Sequence, residues 1–364
     1  MTRIAAVAAA LPEHSYAQSD ITAMLAPMIT EDPAKQQLMR RLHQGSKVER
    51  RHLVRPLEEY REPQTFTQTN GIFVEAATDL AERAVRDALD SAGIAPEEVD
   101  FLMFTSVTGV SAPSVDALLV PRLGLRPDVK RVPMFGLGCV AGAAGLARID
   151  DYLEGHPDDV AVLVAVELCS LTVQRDDDST ANLVASGLFG DGAAAVVAVG
   201  ADRGARDGVR GPDIVGARSA LYPHSEHVLG FNPGTTGFRI VLTAGVPEVV
   251  EEHFGRDVRA FLGDNGLTLA DIATWVAHPG GPRVLEAFSE ALELPDGALQ
   301  LSWNALAAVG NLSSVAVLHI LAESLARGTH RPGDAGLLFA LGPGVSAELV
   351  LLRWPEAPDI EAAA

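Results

Sequence analysis

Residues 133–153 read PMFGLGCVAGAAGLARIDDYL, with one cysteine, Cys139, set among glycine, alanine and aliphatic residues. Where a glycine-rich turn runs into a helix start, backbone N–H groups are unpaired and the positive end of the helix dipole is exposed. That setting, together with a nearby imidazolium, lowers a cysteine pKa from about 8.5 to roughly 3.5–7.5. Gly136, Gly138, Ala141 and Gly142 are small enough to leave room for a substrate beside the thiol. Taken alone, the stretch reads equally as core packing, because free cysteine behaves as a small buried hydrophobe. The rest of the chain separates the two readings.

Segment 72–93, IFVEAATDLAERAVRDALDSAG, carries apolar residues at helical spacing and ends in Gly93; the buried strand VDFLMFTSV, 99–107, follows a short linker. The same order returns in VPEVVEEHFGRDVRAFLGDNG, 246–266, and IATWVAHPGG, 272–281. Thr105 and His278 hold corresponding places, 173 residues apart (278 − 105). Cys139 plus 172 lands on Asn311 in AVGNLSSVAVLHILAESLARG, again a small-residue turn opening an apolar helix. A third pair, LFGDGAAAVVAVG at 188–200 and LFALGPGVSAELVLL at 338–352, joins a glycine turn to a strand.

Three pairs in one order imply two halves of a single architecture. With DVAVLVAVELCS, 159–170, as a continuous buried strand, each half reads as an α/β layer covered by helices on both sides. The boundary falls in GADRGARDGVRGPD, 200–213, giving an N-terminal half 1–211, a C-terminal half 212–354 and a disordered tail 355–364. A pseudo-twofold relation between the halves draws Cys139, His278 and Asn311 toward one site. Alone, His278 is one of ten histidines and Asn311 fits a helix N-cap.

Composition narrows the function classes. The chain has 364 residues and 48% hydrophobic content, enough to bury a large core. No apolar run approaches the roughly 18 residues of a membrane span, and the N-terminus is too short in apolar residues for a secretory signal, so a soluble cytoplasmic protein is expected. The two cysteines, Cys139 and Cys169, show neither CxxC nor zinc-site spacing, and Cys169 at its strand end reads as packing. A formal charge of −20 argues against general nucleic-acid binding. Against that background RRLHQGSKVERRHLVR, 40–55, holds six cations and one anion. It is either a solvated face or a place for a phosphorylated small molecule.

FGLGCVAGAAG, GLFGDGAAAVV, VAHPGGP, GNLSS and LGPGVSAELV, in this order, resemble the motifs of the type III polyketide synthases, the chalcone and stilbene synthase family of the thiolase superfamily. LGLRPDVKR, 123–131, adds to the likeness, which runs from about residue 5 to 353. HPGG and GNLSS fit this branch better than the related ketoacyl synthase III enzymes. The resemblance implies an α/β, thiolase-like five-layer αβαβα fold, a homodimer and a Cys139–His278–Asn311 centre. It further implies that Cys139 holds an acyl starter as a thioester while His278 and Asn311 stabilise the enolate formed when malonyl-CoA loses CO2. The substrates are CoA thioesters, with no metal, no other cofactor and no nucleic-acid or membrane partner. In the family the CoA phosphates meet cations in the equivalent of the basic stretch, which here falls on Arg41, with Arg40 and Lys47 as substitutes.

The same alignment assigns the substrate pocket to Val107, Thr108, Ala112, Ile240, Leu341, Gly342, Pro343 and Gly344. Ala112 stands where plant enzymes carry a methionine crossing the dimer interface, and Ile240 where they carry a gatekeeper phenylalanine. Each legible change removes bulk, an aromatic ring or a hydroxyl, so the sequence points to a long-chain acyl-CoA starter and an alkylpyrone or alkylresorcinol product. The alternatives are a synthase of 1,3,6,8-tetrahydroxynaphthalene from malonyl-CoA alone, a ketoacyl synthase III-like acyltransferase, or an inactive thiolase-fold scaffold.

Overall fold

The computed structural model describes residues 1–355 apart from Pro63, Asp176 and Ala244, so all but the first residue of the expected tail lies outside the described residues. A nine-stranded sheet organises the chain. In chain order its strands are β1 (Thr2–Ala10), β2 (Phe101–Thr105), β3 (Lys130–Met134), β4 (Val160–Leu168), β5 (Asp191–Val199), β6 (Asp213–Leu221), β7 (Ile272–Ala277), β8 (Ala335–Gly342) and β9 (Ser346–Arg353). They lie side by side as β7-β8-β9-β6-β1-β5-β4-β2-β3.

Pairing directions expose the repeat. In the first half β2 runs parallel to β4, β4 antiparallel to β5 and β5 antiparallel to β1. In the second, β7 runs parallel to β8, β8 antiparallel to β9 and β9 antiparallel to β6. The two units join where β1 meets β6 through Thr2↔Ile214 and Arg3↔Asp213. The Arg3 guanidinium closes that seam on Asp213 at 2.7 Å. Strand β3 extends the first half at its outer edge beside β2.

Alternation along the strands builds the layers. Val160, Val162, Val164 and Val166 of β4 pack outward with the helix Phe66–Ala92, while Ala161, Leu163 and Ala165 face inward. On β8, Leu337, Phe339 and Leu341 pack outward with the helices Gly255–Asp264 and Pro282–Ala291, and Leu338 and Ala340 face inward. Between the two inward faces lie the helices Ala141–Glu154 and Ala316–Ala326. Helix, sheet, helix, sheet and helix succeed one another, and strands covered on both faces need the continuous apolar runs seen in the sequence.

Local chemistry shifts several element ends. The helix expected over 72–93 begins at Phe66, because Thr65 and Gln68 form a capping box, and it stops at Gly93 in the left-handed region, φ 66°. The helix expected over 246–266 is interrupted by a π-turn at Val250–Phe254. The short helical turns preceding the two central helices begin at Gly138 and Ser313, 175 residues apart (313 − 138). Cys139 therefore lies inside its turn and Asn311 two residues ahead of its own, so the 172-residue equivalence expected for them slips. The difference arises because Asn311 is held outside the turn by pairing with Phe189.

Candidate active site

Cys139, His278 and Asn311 line one cavity of about 570 Å³. Each arrives on a different element. Cys139 is the middle residue of the turn Gly138–Val140, immediately before the central helix Ala141–Glu154. His278 follows the end of β7, and its N–H donates to the Phe339 carbonyl on β8 at 2.9 Å. Asn311 lies between the helix Gln300–Val309 and the turn Ser313–Val315. Its N–H donates to the Leu188 carbonyl at 2.9 Å, and its carbonyl accepts from the Gly190 N–H at 3.0 Å.

The side chains are pre-set. Asn311 Oδ1 accepts from the Ser313 N–H at 2.8 Å, which fixes the amide and leaves its NH2 as the donor side. His278 Nδ1 is enclosed without a hydrogen-bond partner among the described residues. Cys139 Sγ donates to Ser313 Oγ at 3.5 Å, and Ser313 Oγ donates onward to Glu167 Oε1 at 3.4 Å. Glu167 is fully buried and also accepts from Ser314 Oγ at 2.6 Å, Thr108 Oγ1 at 3.0 Å, the Val107 N–H at 3.1 Å and Ser106 Oγ at 3.3 Å. Burial nevertheless raises its pKa.

Electrostatics corrects the expectation of a thiol pKa lowered by the helix start and a nearby imidazolium. Burial pushes the Cys139 thiol up to about 12, with the Glu167 charge adding to the rise, and pushes the His278 imidazole down to about 3. Each group by itself is held neutral. Two of the four small residues also serve packing rather than substrate. A Cβ at Gly138 would stand 2.6 Å from Pro343 Cδ, and one at Gly142 would run into the Ser314 carbonyl.

The basic stretch does not form one patch. Arg41 lines the mouth of the catalytic cavity from the helix Pro33–Gly45, whereas Arg40 and Lys47 are exposed and do not line it. The direction of each side chain on its own turn decides this. Arg283, one turn past the His278 loop, lines the same mouth and was not singled out in the sequence. Among the described residues neither Arg41 nor Arg283 takes part in an ion pair.

A second, inner cavity of about 50 Å³ is lined by Val107, Thr108 and Ile240, three of the expected pocket residues. Leu341 lines the catalytic cavity instead. Ala112 is exposed and lines neither. Gly342, Pro343 and Gly344 line neither as well, because this loop buttresses the Cys139 turn: a Cβ at Gly342 would meet the Leu137 carbonyl at 2.6 Å. Cys169, read as packing, borders the inner cavity together with Tyr60, Ser170 and Arg51. Phe189 lines both cavities and Ser313 borders the inner one, so both stand at the partition. Glu167, alone among apolar residues in VAVLVAVELCS, was the legible sign of a buried polar centre.

Comparison with known proteins agrees with this architecture. Residues 1–203 match the model of the N-terminal domain of chalcone and stilbene synthases, and residues 213–355 that of the C-terminal domain. A 1,3,6,8-tetrahydroxynaphthalene synthase of Streptomyces peucetius subsp. caesius is 55% identical over 97% of this chain and 93% of its own length. An alpha-pyrone synthesis polyketide synthase-like protein of Mycobacterium tuberculosis is 31% identical over 96% of this chain and 90% of its own. The crystal structure of the 1,3,6,8-tetrahydroxynaphthalene synthase of Streptomyces coelicolor A3(2), a bacterial type III polyketide synthase, superposes with a TM-score of 0.91 at 30% identity, covering 98% of this chain and all of that one. The chain belongs to the chalcone and stilbene synthase family and is a type III polyketide synthase, an acyltransferase with the thiolase-like fold.

Proposed function

We propose that the enzyme uses malonyl-CoA as both starter and extender and releases 1,3,6,8-tetrahydroxynaphthalene. The observation that carries this reading is the inner cavity. Its volume of about 50 Å³ accommodates a few water-sized groups, at about 10–15 Å³ each, so it receives part of a short chain and neither a long alkyl tail nor the whole ten-carbon product. Its wall includes Arg51, whose Nη2 has no partner among the described residues and suits a chain bearing oxygen on alternate carbons. The 55% identity to a protein of that activity supports the same reading.

Cys139 passes its proton to His278 and attacks the acyl carbon of the CoA thioester; the CoA sulfur leaves, taking the proton. A second malonyl-CoA then loses CO2, and the electron pair moves onto its thioester oxygen. Asn311 Nδ2 and the neutral His278 donate to that oxygen, each worth roughly 3–4 kcal/mol where the charge develops. The enolate carbon attacks the Cys139 acyl group, the carbon–sulfur bond breaks, and the lengthened chain returns to Cys139 for the next round. Arg41 and Arg283 hold the CoA phosphates at the mouth.

A second reading, a long-chain acyl-CoA starter with an alkylpyrone or alkylresorcinol product, draws on the apolar wall of the larger cavity, where Leu188, Leu229, Leu242, Val246 and Val284 lie. Incubating the enzyme with malonyl-CoA alone and with acyl-CoAs of graded length separates the two. Tetrahydroxynaphthalene from malonyl-CoA alone supports the first; pyrones formed only with long starters overturn it. We further propose a homodimer through the exposed edge strand β3, which presents Val132, with Phe135 just beyond it. Light scattering that gives twice the 38.3 kDa chain mass tests this.

A further inference from the structure

Three consecutive carbonyls, those of Gly187, Leu188 and Phe189, divide between two sets of partners. Gln18 Nε2 donates to Gly187 at 2.6 Å and Arg51 Nη1 to Phe189 at 2.8 Å. The carbonyl between them, Leu188, accepts from the Asn311 N–H. Arg51 Nε in turn donates to Gln18 Oε1 at 2.9 Å, making the two side chains one unit. A side chain at Gly310 would meet the Arg51 stem, since its Cβ would lie 3.2 Å from Arg51 Cγ. One buried arginine thus holds the segment that carries Phe189 with its guanidinium and lays its stem where a side chain at Gly310, just before Asn311, would stand.

A charge buried this deeply is costly: Arg51 is 3% exposed, and burial lowers its pKa to about 10. Its hydrogen bonds do not neutralise it, for they run to a neutral amide and a backbone carbonyl, and Nη2 has no partner. The nearby Asp191 carboxylate spends its bonds on Ser170 and the Val54 N–H. A structural strut at this position needs no charge, but a rigid, forked donor set does fix a backbone at two points.

We propose that Arg51 is a positioning residue of the condensing site, acting through Phe189 and Asn311. It holds the enolate-stabilising amide and the ring that parts the two cavities in fixed relation. The proposal rests on the decarboxylative reading of the site. Displacements of about 1 Å at a catalytic group cost up to about 100-fold in rate, and lysine retains the charge without the fork.

The test compares Arg51→Lys and Arg51→Met with the full-length enzyme, measuring malonyl-CoA decarboxylation, Cys139 alkylation by iodoacetamide and thermal unfolding. The expected result is a fall of about tenfold in decarboxylation kcat for R51K, with KM within about twofold and Cys139 alkylation unchanged. In an Asn311→Ala background the same R51K change should cost less than about twofold, because its effect passes through Asn311. R51M should lose more, with a shift in product chain length as Phe189 loosens; if R51M does not fold, R51K and the double variant carry the test. Wild-type kcat in R51K, or equal losses with and without Asn311, would overturn the proposal. Absence of malonyl-CoA turnover in the unaltered enzyme would overturn the reading of the site and the proposal with it.

Discussion

Cys139 Sγ lies 3.5 Å from Ser313 Oγ, a hydroxyl from the opposite half of the chain whose own proton goes to Glu167. The Cys139 thiol is thereby tied to a buried polar centre that also gathers Ser106, the Val107 N–H, Thr108 and Ser314. Glu167→Ala would strand these donors in a dry interior. Leaving a buried donor without its partner costs about 1–3 kcal/mol, so thermal unfolding should fall by several degrees, with Glu167→Gln closer to the parent. An unchanged midpoint in E167A would contradict the assigned network.

Cys139 and Asn311 should separate the two half-reactions. Cys139→Ala removes the acyl acceptor, so polyketide formation should stop while malonyl-CoA decarboxylation continues, because His278 and Asn311 remain. Asn311→Ala should slow decarboxylation by about 100-fold or more through loss of one oxyanion donor, and product formation with it, because every extension uses the enolate. Measuring CO2 and acetyl-CoA release beside product formation distinguishes them. Loss of decarboxylation in Cys139→Ala as deep as in Asn311→Ala would speak against the division of roles.

The pH dependence follows from the partner of the thiol. Thiolate is the reactive form, so alkylation of Cys139 rises with pH through its pKa. With His278 present to take up the proton, the midpoint should lie below that of a variant without the imidazole. In His278→Gln the charge loses that partner, and burial, which raises the thiol pKa, acts on it unopposed. At pH 7 the variant should therefore react with iodoacetamide at least about tenfold more slowly. Superimposable profiles would show that His278 does not support the thiolate.

Arg41 and Arg283 flank the cavity mouth. Replacing either by Gln should raise KM for malonyl-CoA by about threefold to tenfold while leaving kcat near the parent value, the signature of lost ground-state binding. KM for a malonyl thioester of N-acetylcysteamine, which lacks the phosphates, should not move. Salt should weaken binding of the CoA substrate more steeply in the parent enzyme than in the variants.

Much of this was legible in the chain because it rests on local pattern. The Val-rich run of β4 announces a strand buried on both faces, and the paired orders ending in Thr105 and His278 announce the repeat. Gly93 marks its helix end because a left-handed residue there favours glycine. Other features required the fold. The direction of Arg41 against Arg40, one position apart on a helix, depends on where the neighbouring half places its loop. Cys169 seemed inert because nothing in CSLT reveals that its strand end meets a cavity shared with Ile240, some seventy residues on. Gly138 and Gly142 looked like space for substrate because sequence does not show that Pro343 and Ser314 already occupy it.

The most direct measurement traps the acyl-enzyme: quench the protein during turnover of malonyl-CoA, digest it and weigh the peptide carrying Cys139. The account predicts acyl adducts on Cys139 that differ by two-carbon units and are absent from C139A. Turnover with Cys139 unmodified, or with the adduct on Cys169 instead, would contradict it.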